Sequence, residues 1–158
     1  MSTPASVAKH PLHPMLVAVP IGLWVFSLVA DLIYHLGWGQ PVWKDVAFYC
    51  IGGGIVGALL AAVPGFIDFL SITVANVRAI GVYHMVVNLT AVAIFAVSFW
   101  LRWTGTAGFL PVGVSLVGLV VLGLGGWLGG ELVFVHQMGV TPPEEAASTK
   151  RRSDRRVA

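Results

Sequence analysis

The chain has 158 residues, of which 57% are hydrophobic and 10% are charged, and its formal net charge is +2. Soluble domains carry about 25% charged residues, so the composition excludes an ordinary soluble protein and indicates a membrane protein. One membrane-spanning helix uses roughly 20 apolar residues, so four spans would leave no room for a separate soluble domain. The single cysteine, Cys50, lies in an apolar segment, which excludes a disulfide framework and a Cys-x-x-Cys site.

The first apolar segment predicts an uncleaved membrane helix over residues 14–36, preceded by a short segment, 1–13. His13 is the expected N-cap, and Pro14 suits the first helical position because its missing N–H is not needed there. Pro20 should kink this helix, because proline cannot donate the backbone hydrogen bond of a helix interior. The loop that follows the helix contains Trp38, a residue suited to the membrane interface.

The next apolar stretch, residues 46–101, is too long for one span. As a single helix it would measure about 84 Å, against a hydrocarbon core of about 30 Å. Polar residues predict the turn within 71–78, with Pro64-Gly65 as the alternative break. The spans are then 46–70, 79–101 and a last one over 109–136, before a basic tail over 139–158 that is disordered by composition. The predicted fold is an all-α, integral membrane four-helix bundle.

The basic residues predict the orientation of this bundle. Seven lie on the side that carries both termini and the 71–78 loop, and two, Lys44 and Arg102, lie on the other; the seven are Lys9, Arg78, Lys150, Arg151, Arg152, Arg155 and Arg156. The positive-inside rule therefore predicts that both termini lie in the cytoplasm. The tail suits contact with anionic membrane lipid, and nucleic-acid binding is not predicted.

Small residues recur every four positions on two spans, as in Gly125 and Gly129 on the last one and in Gly53, Gly57, Ala61 and Gly65 on the second. Such stripes let membrane helices approach closely, and they predict packing within the bundle. A second use of the same stripes is to leave room for a flat cofactor.

This topology brings six ionisable residues to the cytoplasmic end of the bundle: His10, His13, Asp68, His84, Glu131 and His136. Ionisable groups are costly in hydrocarbon and usually face a bundle interior, so the cluster is a candidate functional site. Asn88 follows His84 by four residues and shares its helical face. Glu131 and His136 point about 140° apart on a regular helix, so only a distorted helix end would aim both at one point.

Three interpretations of the cluster remain open. One is a cofactor site, in which His10, His13, Asp68, His84 and Glu131 bind a transition metal ion. In its haem form, His13 or His10 pairs with His84 or His136 to hold a b-type haem, with Arg78 at the propionates. The second is a proton relay, for which the opposite face offers only Asp31 and His35. The third is structural: Asp68 pairs with Arg78 or His84, Glu131 with an imidazole, and Asp31 with His35.

Catalytic motifs are absent from the sequence. It has no Gly-x-Ser-x-Gly, no His-Glu-x-x-His and no phosphate-binding loop, so hydrolase and nucleotide-binding functions are unsupported and no catalytic residue is assigned.

The opening His10-Pro11-Leu12-His13-Pro14, the segment Gly65 to Asp68, His84 with Asn88, and Gly129 to Val133 resemble the bacterial membrane family called domain of unknown function 2231. The resemblance covers residues 9–140 and implies a four-helix inner-membrane protein of unassigned activity. Some relatives are fused to or encoded beside Rieske iron–sulfur proteins, which implies a redox partner, although this chain has no Rieske Cys/His motif of its own. The leading hypothesis is a redox-associated protein that holds a b-type haem or a metal ion. The alternative is a non-catalytic membrane subunit or a small proton or ion transporter.

Overall fold

The structure is a computed structural model, and it describes residues 3–38 and 40–140. A short antiparallel hairpin comes first, followed by five α-helices and one π-helical turn; these are β1 (Ser6–Val7), β2 (His10–Pro11), α1 (Leu12–Leu16), α2 (Ala18–His35), α3 (Val42–Leu70), α4 (Ala75–Trp103), α5 (Leu110–Gly130) and the π-helix (Glu131–Val135). The predicted tail beyond residue 140 lies outside the described residues.

Within the described residues, four helical segments are long and apolar enough to cross a membrane: Leu12–His35, Val42–Leu70, Ala75–Trp103 and Leu110–Val135. The all-α membrane bundle predicted from the sequence is confirmed. Large apolar side chains such as Leu60 and Val120 point outward, whereas Ser27, Ser98 and Ser115 are fully buried. This distribution suits a bilayer, because lipid tails accept apolar side chains and small residues let helices approach.

Prolines explain where the first two spans deviate from regular helices. The first span breaks at Val17, between α1 and α2, because Pro20 has no N–H for the carbonyl of Leu16 and its ring crowds that carbonyl. By contrast, α3 continues through Pro64, and the chain turns at 71–74. The helix α3 begins at Val42 and α4 at Ala75, four residues earlier than the sequence estimates for both spans.

The bundle consists of two helical hairpins. One hairpin is formed by α1, α2 and α3, and the other by α4 and α5; contacts are most extensive within each hairpin, and α3 with α4 and α2 with α5 join the two. The long helices therefore neighbour one another around the bundle in chain order. The first helix of each hairpin runs in the same direction through the membrane.

The two hairpins are related by a pseudo-two-fold axis along the bundle. Three pairs of residues meet across it, His13 with His84, Trp24 with Phe95, and Asp31 with Arg102, and the members of each pair are 71 positions apart. Parallel repeats related by an axis along the membrane normal are a known membrane architecture. Each of these residues therefore faces its structural counterpart.

The second helices of the hairpins repeat with an offset of 64 positions. Gly54 lies against the Trp24 ring and Gly118 against Phe95, while Gly65 and Gly129 lie against the two histidines. Each glycine makes room for an axial side chain of its own hairpin. The axis thus carries three layers, which are a histidine pair, an aromatic pair and an ion pair.

The aromatic pair fills the middle of the bundle. The rings of Trp24 and Phe95 stack with centroids 4.1 Å apart and an interplanar angle of 7°, and both are buried with Ile51. The indole Nε1–H donates a hydrogen bond to the carbonyl of Ile51 at 3.2 Å. At 1.5 Å per residue this layer lies about 16 Å from the histidines along the helix.

Candidate functional site

The histidine layer is formed by one imidazole from each hairpin. The ring centroids of His13 and His84 are 6.1 Å apart, and the ring planes are nearly perpendicular, at 86°. Both side chains are partly buried. Of the ionisable residues that the sequence assigned to this end, these are the two whose rings the fold brings next to one another.

His13 is held by the second helix of its own hairpin. Its Nδ1–H donates a hydrogen bond to the carbonyl of Ala61 at 2.8 Å. The ring lies against Gly65, where a Cβ atom would be 2.6 Å from Nδ1. The small-residue stripe of α3 is therefore needed here to admit the ring as well as to pack helices.

His84 is held in the same way by α5. Its Nδ1–H donates to the carbonyl of Gly125 at 2.9 Å, and a Cβ at Gly129 would be 3.0 Å from the ring carbon Cε1. Asn88 adds a second polar group, since its Nδ2 donates to the carbonyl of His84 at 2.7 Å and lies 3.5 Å from Nε2. The counterpart of Asn88 in the first hairpin is Val17, so the two imidazoles have different neighbours.

These hydrogen bonds determine which ring nitrogen carries the proton. A carbonyl oxygen only accepts, so Nδ1 must be protonated in both His13 and His84. In a neutral imidazole the lone pair is then on Nε2. Metal-binding histidines typically donate their other ring N–H to a carbonyl or carboxylate, which orients the ring. In both rings of the pair, the nitrogen that carries no proton is therefore Nε2.

The remaining candidate ligands lie elsewhere at the same end of the bundle. His10 is exposed in β2 and its ring bonds the carbonyl of Ala8, while Asp68 is 8% exposed and accepts a hydrogen bond from the backbone N–H of Ala5 at 2.9 Å. Within residues 3–38 and 40–140, no three His, Cys, Asp or Glu side chains group as metal ligands would. His10, Asp68 and Glu131 therefore do not join the histidine pair in a five-ligand site.

Glu131 and His136 stand at the two ends of the π-helical turn. The backbone N–H of His136 donates to the carbonyl of Glu131 at 3.1 Å, so residues five apart follow one another around a single turn. This is the distorted helix end that the spacing of the two residues would require to direct both to one side. Such π-turns are rare overall, and those that do occur are often found at functional sites.

Arg78 is exposed at this end of the bundle. Its guanidinium lies 4.9 Å from the ring centroid of Phe69 and donates to the carbonyl of Ile72 at 3.3 Å. The predicted pairing of Asp68 with Arg78 or His84 is wrong, because Asp68 is engaged by the N-terminal segment instead.

We call the structure that closes this end the terminal cap, which comprises residues 3–11, 71–74 and 136–140. Met138 packs against Ile72 and Val77, which are buried. A Cβ at Gly139 would be 3.2 Å from Thr3 and 3.5 Å from Pro11, so the two terminal segments touch. The cap joins both ends of the described chain to the turn between the hairpins.

The third axial layer, at the opposite end, corrects another expectation. Asp31 pairs with Arg102 and not with His35, through two bonds of 2.8 Å and 2.7 Å between guanidinium nitrogens and carboxylate oxygens. His35 instead stacks on Phe109 with centroids 4.4 Å apart. Ser98 extends the ion pair, because its hydroxyl accepts from Arg102 Nε at 3.4 Å and donates to the carbonyl of Pro111 at 2.9 Å.

The internal repeat was not recognised from the sequence, although a signal exists. A shift of 71 positions aligns His13 with His84 and Ser27 with Ser98, and it also places Asp31 opposite Arg102. The two hairpins share few identical residues, because lipid-facing positions accept any apolar residue. The offset of 71 positions is therefore recognised only from the contacts across the axis.

Comparison with known proteins agrees with this architecture. No curated protein and no solved structure matches the chain. A family model described as a predicted membrane protein does match, over residues 9–142. This segment includes all four spans and both members of the histidine pair. The chain therefore belongs to the DUF2231 family of membrane proteins.

Proposed function

We propose that this protein holds a transition-metal centre between Nε2 of His13 and Nε2 of His84 and serves a redox-associated role in the bacterial inner membrane. The observation that carries the proposal is the pair of Nδ1–H bonds to main-chain carbonyls, which assigns the ring lone pair to Nε2 in two imidazoles whose centroids are 6.1 Å apart. Two candidate ligands share this chemistry, because imidazole nitrogen coordinates both the iron of a b-type haem and a bare ion such as copper.

The two rings are close enough for nitrogens of both to reach one ion. Their centroids are 6.1 Å apart, and a metal–nitrogen bond to imidazole is about 2.0–2.1 Å. Two protein ligands are sufficient for haem iron, because the macrocycle supplies the other four. A bound haem would supply one-electron chemistry, while this chain orients the two nitrogens.

The surroundings of the pair suit a buried centre. Gly65 and Gly129 place no side chain beside the rings, and the cap lies between the pair and the nearer membrane face. Arg78 at that face is the proposed partner of an anionic substituent such as a propionate. The excess of Lys and Arg at this end supports a cytoplasmic location for both termini, and a Rieske-type or other redox protein is the proposed electron partner.

Purification in mild detergent tests the proposal. We expect either a Soret band or a stoichiometric transition metal measured by mass spectrometry, and either signal should be lost in His13→Ala and in His84→Ala. His35→Ala is the control, because His35 lies at the opposite end of the bundle against Phe109. A colourless and metal-free protein from cells supplied with haem precursor and metals would overturn the proposal, as would retention of the signal in His84→Ala.

A structural role for the pair is the competing function, and it is favoured by the bond that each imidazole already makes to a neighbouring helix. In that case His84→Ala would lower thermal stability in protein that never contained metal. A proton path along the axis is disfavoured, because the buried Trp24 and Phe95 rings occupy the middle layer. Proton flux into liposomes that depends on His84 would favour transport instead.

A further inference from the structure

We infer that the terminal cap is a lid that opens to admit the ligand of the histidine pair from the membrane face that carries the termini. This inference rests on the proposed function for its ligand, but not for the motion of the lid. The route follows from the fold, the lowered cost of opening from the strained hairpin turn, and the attachment that opening must break from one buried carboxylate.

The cap occupies the route between the pair and water. His84 lies seven residues deeper in α4 than Val77, which is buried under the cap, a distance of about 10 Å along the helix. In the other direction the axis is blocked by the stacked rings of Trp24 and Phe95. The sides of the bundle face lipid, so a charged or polar ligand must pass the cap.

Few contacts hold the N-terminal part of the cap against the helices. The carboxylate of Asp68, at the end of α3, accepts the backbone N–H of Ala5 at 2.9 Å, and Thr3 and Pro11 touch Gly139. The strand β2 leads directly into α1, which contains His13. Movement of this segment is therefore transmitted to one of the two ligands.

The cap is also the strained part of the described chain. Ala8 and Lys9, the two residues between β1 and β2, have φ angles of 49° and 67°, and Gln137 has 52°. No other described non-glycine residue has a positive φ. A hairpin turn with positive φ at both positions favours Asn-Gly, so side chains such as these store strain in the closed cap. An opening that unfolds the hairpin releases that strain, which lowers the free energy of the open state relative to the closed one.

A buried reporter cysteine measures opening without any ligand. In a Cys50→Ser background, Val77→Cys places a thiol beneath Met138, at a position that is 2% exposed, and Asn76→Cys, outside the cap, gives an exposed control at the same end. The rate of labelling by a water-soluble maleimide reports how often the cap opens. Labelling of the control should be the same in every cap variant.

Two changes should move this rate in opposite directions. Asp68→Ala removes the acceptor for Ala5 and should speed labelling about tenfold, whereas Asp68→Asn keeps an acceptor oxygen and should stay near the unmodified rate. The double change Ala8→Asn and Lys9→Gly relieves the turn and should slow labelling several-fold. Equal labelling rates in Asp68→Ala and Asp68→Asn, or no slowing by the turn variant, would overturn the lid.

The ligand route is tested with iron protoporphyrin IX added to purified protein, and separately with Cu⁺. Uptake of whichever probe binds should follow the labelling rates, faster in Asp68→Ala and slower in the turn variant. An uptake rate that is the same in all cap variants and in the unmodified protein would overturn the route while leaving the proposal of a metal site intact. If neither probe binds any variant, the proposed function fails, and the labelling rates still decide whether the lid opens.

Discussion

Removing either partner of the ion pair on the axis should destabilise the protein, and the two single substitutions should differ in their cost. Asp31 is 3% exposed and Arg102 is 11% exposed, and two bonds join them. Removing one partner of a buried pair costs about 3–5 kcal/mol, because the other charge is left without compensation. Arg102→Ala should cost this full amount, since the short carboxylate lies four residues before the end of α2, about 6 Å inside it.

Asp31→Ala should cost less, about 1–2 kcal/mol, because the long side chain of Arg102 starts one residue before the end of α4 and can reach the interface. The pseudo-two-fold axis adds a sharper test. The two residues occupy equivalent positions, so the exchange Asp31→Arg with Arg102→Asp should recover at least half of the stability lost in either single reversal. Recovery should be incomplete, because Ile51 stands where Ser115 stands in the other hairpin.

The assay is unfolding by sodium dodecyl sulfate in mixed micelles, followed by helical circular dichroism. Lys44→Ala is the control, because Lys44 is an exposed charge at the same end and its loss should change stability by less than about 0.5 kcal/mol. The reasoning fails if Arg102→Ala costs under about 1 kcal/mol, which is the range of an exposed pair. It also fails if the exchanged variant is no more stable than the less stable of the two single variants, Asp31→Arg and Arg102→Asp.

Three further variants test the other parts of the axis. Gly65→Ala should destabilise the fold by about 1–3 kcal/mol because its Cβ would overlap an imidazole, whereas Gly126→Ala meets nothing within 4 Å and should be neutral in the same melting assay. Trp24→Ala should cost about 3 kcal/mol through the cavity it leaves, and added benzene should restore part of it; no effect of benzene would argue against a dry cavity. Ser98→Ala should cost about 1–2 kcal/mol more than Ser27→Ala, since Ser98 bonds α5 and Ser27 only its own helix; equal melting temperatures would contradict this.

The sequence was sufficient for the architecture because membrane helices are specified by long apolar runs. The turn between α3 and α4 at 71–74 lies where polar residues interrupt such a run, and Pro64 remains inside a helix. The confinement of ionisable residues to helix ends also predicted that His13 and His84 lie at one end of the bundle. What the sequence could not supply was which of these side chains meet.

The partner of Asp31 shows why. A local rule favours His35, four residues later on the same helix, but the fold provides Arg102, 71 positions away. The ion pair is stronger and depends only on how the hairpins face one another. Likewise Asp68 is engaged by the backbone N–H of Ala5, a donor that every residue except proline carries and that no motif can reveal. Contacts across the pseudo-two-fold axis depend on how the two hairpins pack. They can be predicted from the sequence only when the internal repeat is known.

The charge layer has a consequence for how such a bundle can be assembled. In a homodimer of identical hairpins, every residue on the symmetry axis would meet its own copy, so an acid would oppose an acid and an arginine an arginine. Opposite charges at equivalent positions, as in Asp31 and Arg102, require two halves that differ in sequence, and this chain supplies both halves in one polypeptide. Linking two hairpins in one polypeptide thus lets self-repelling positions become the strongest attachment between them.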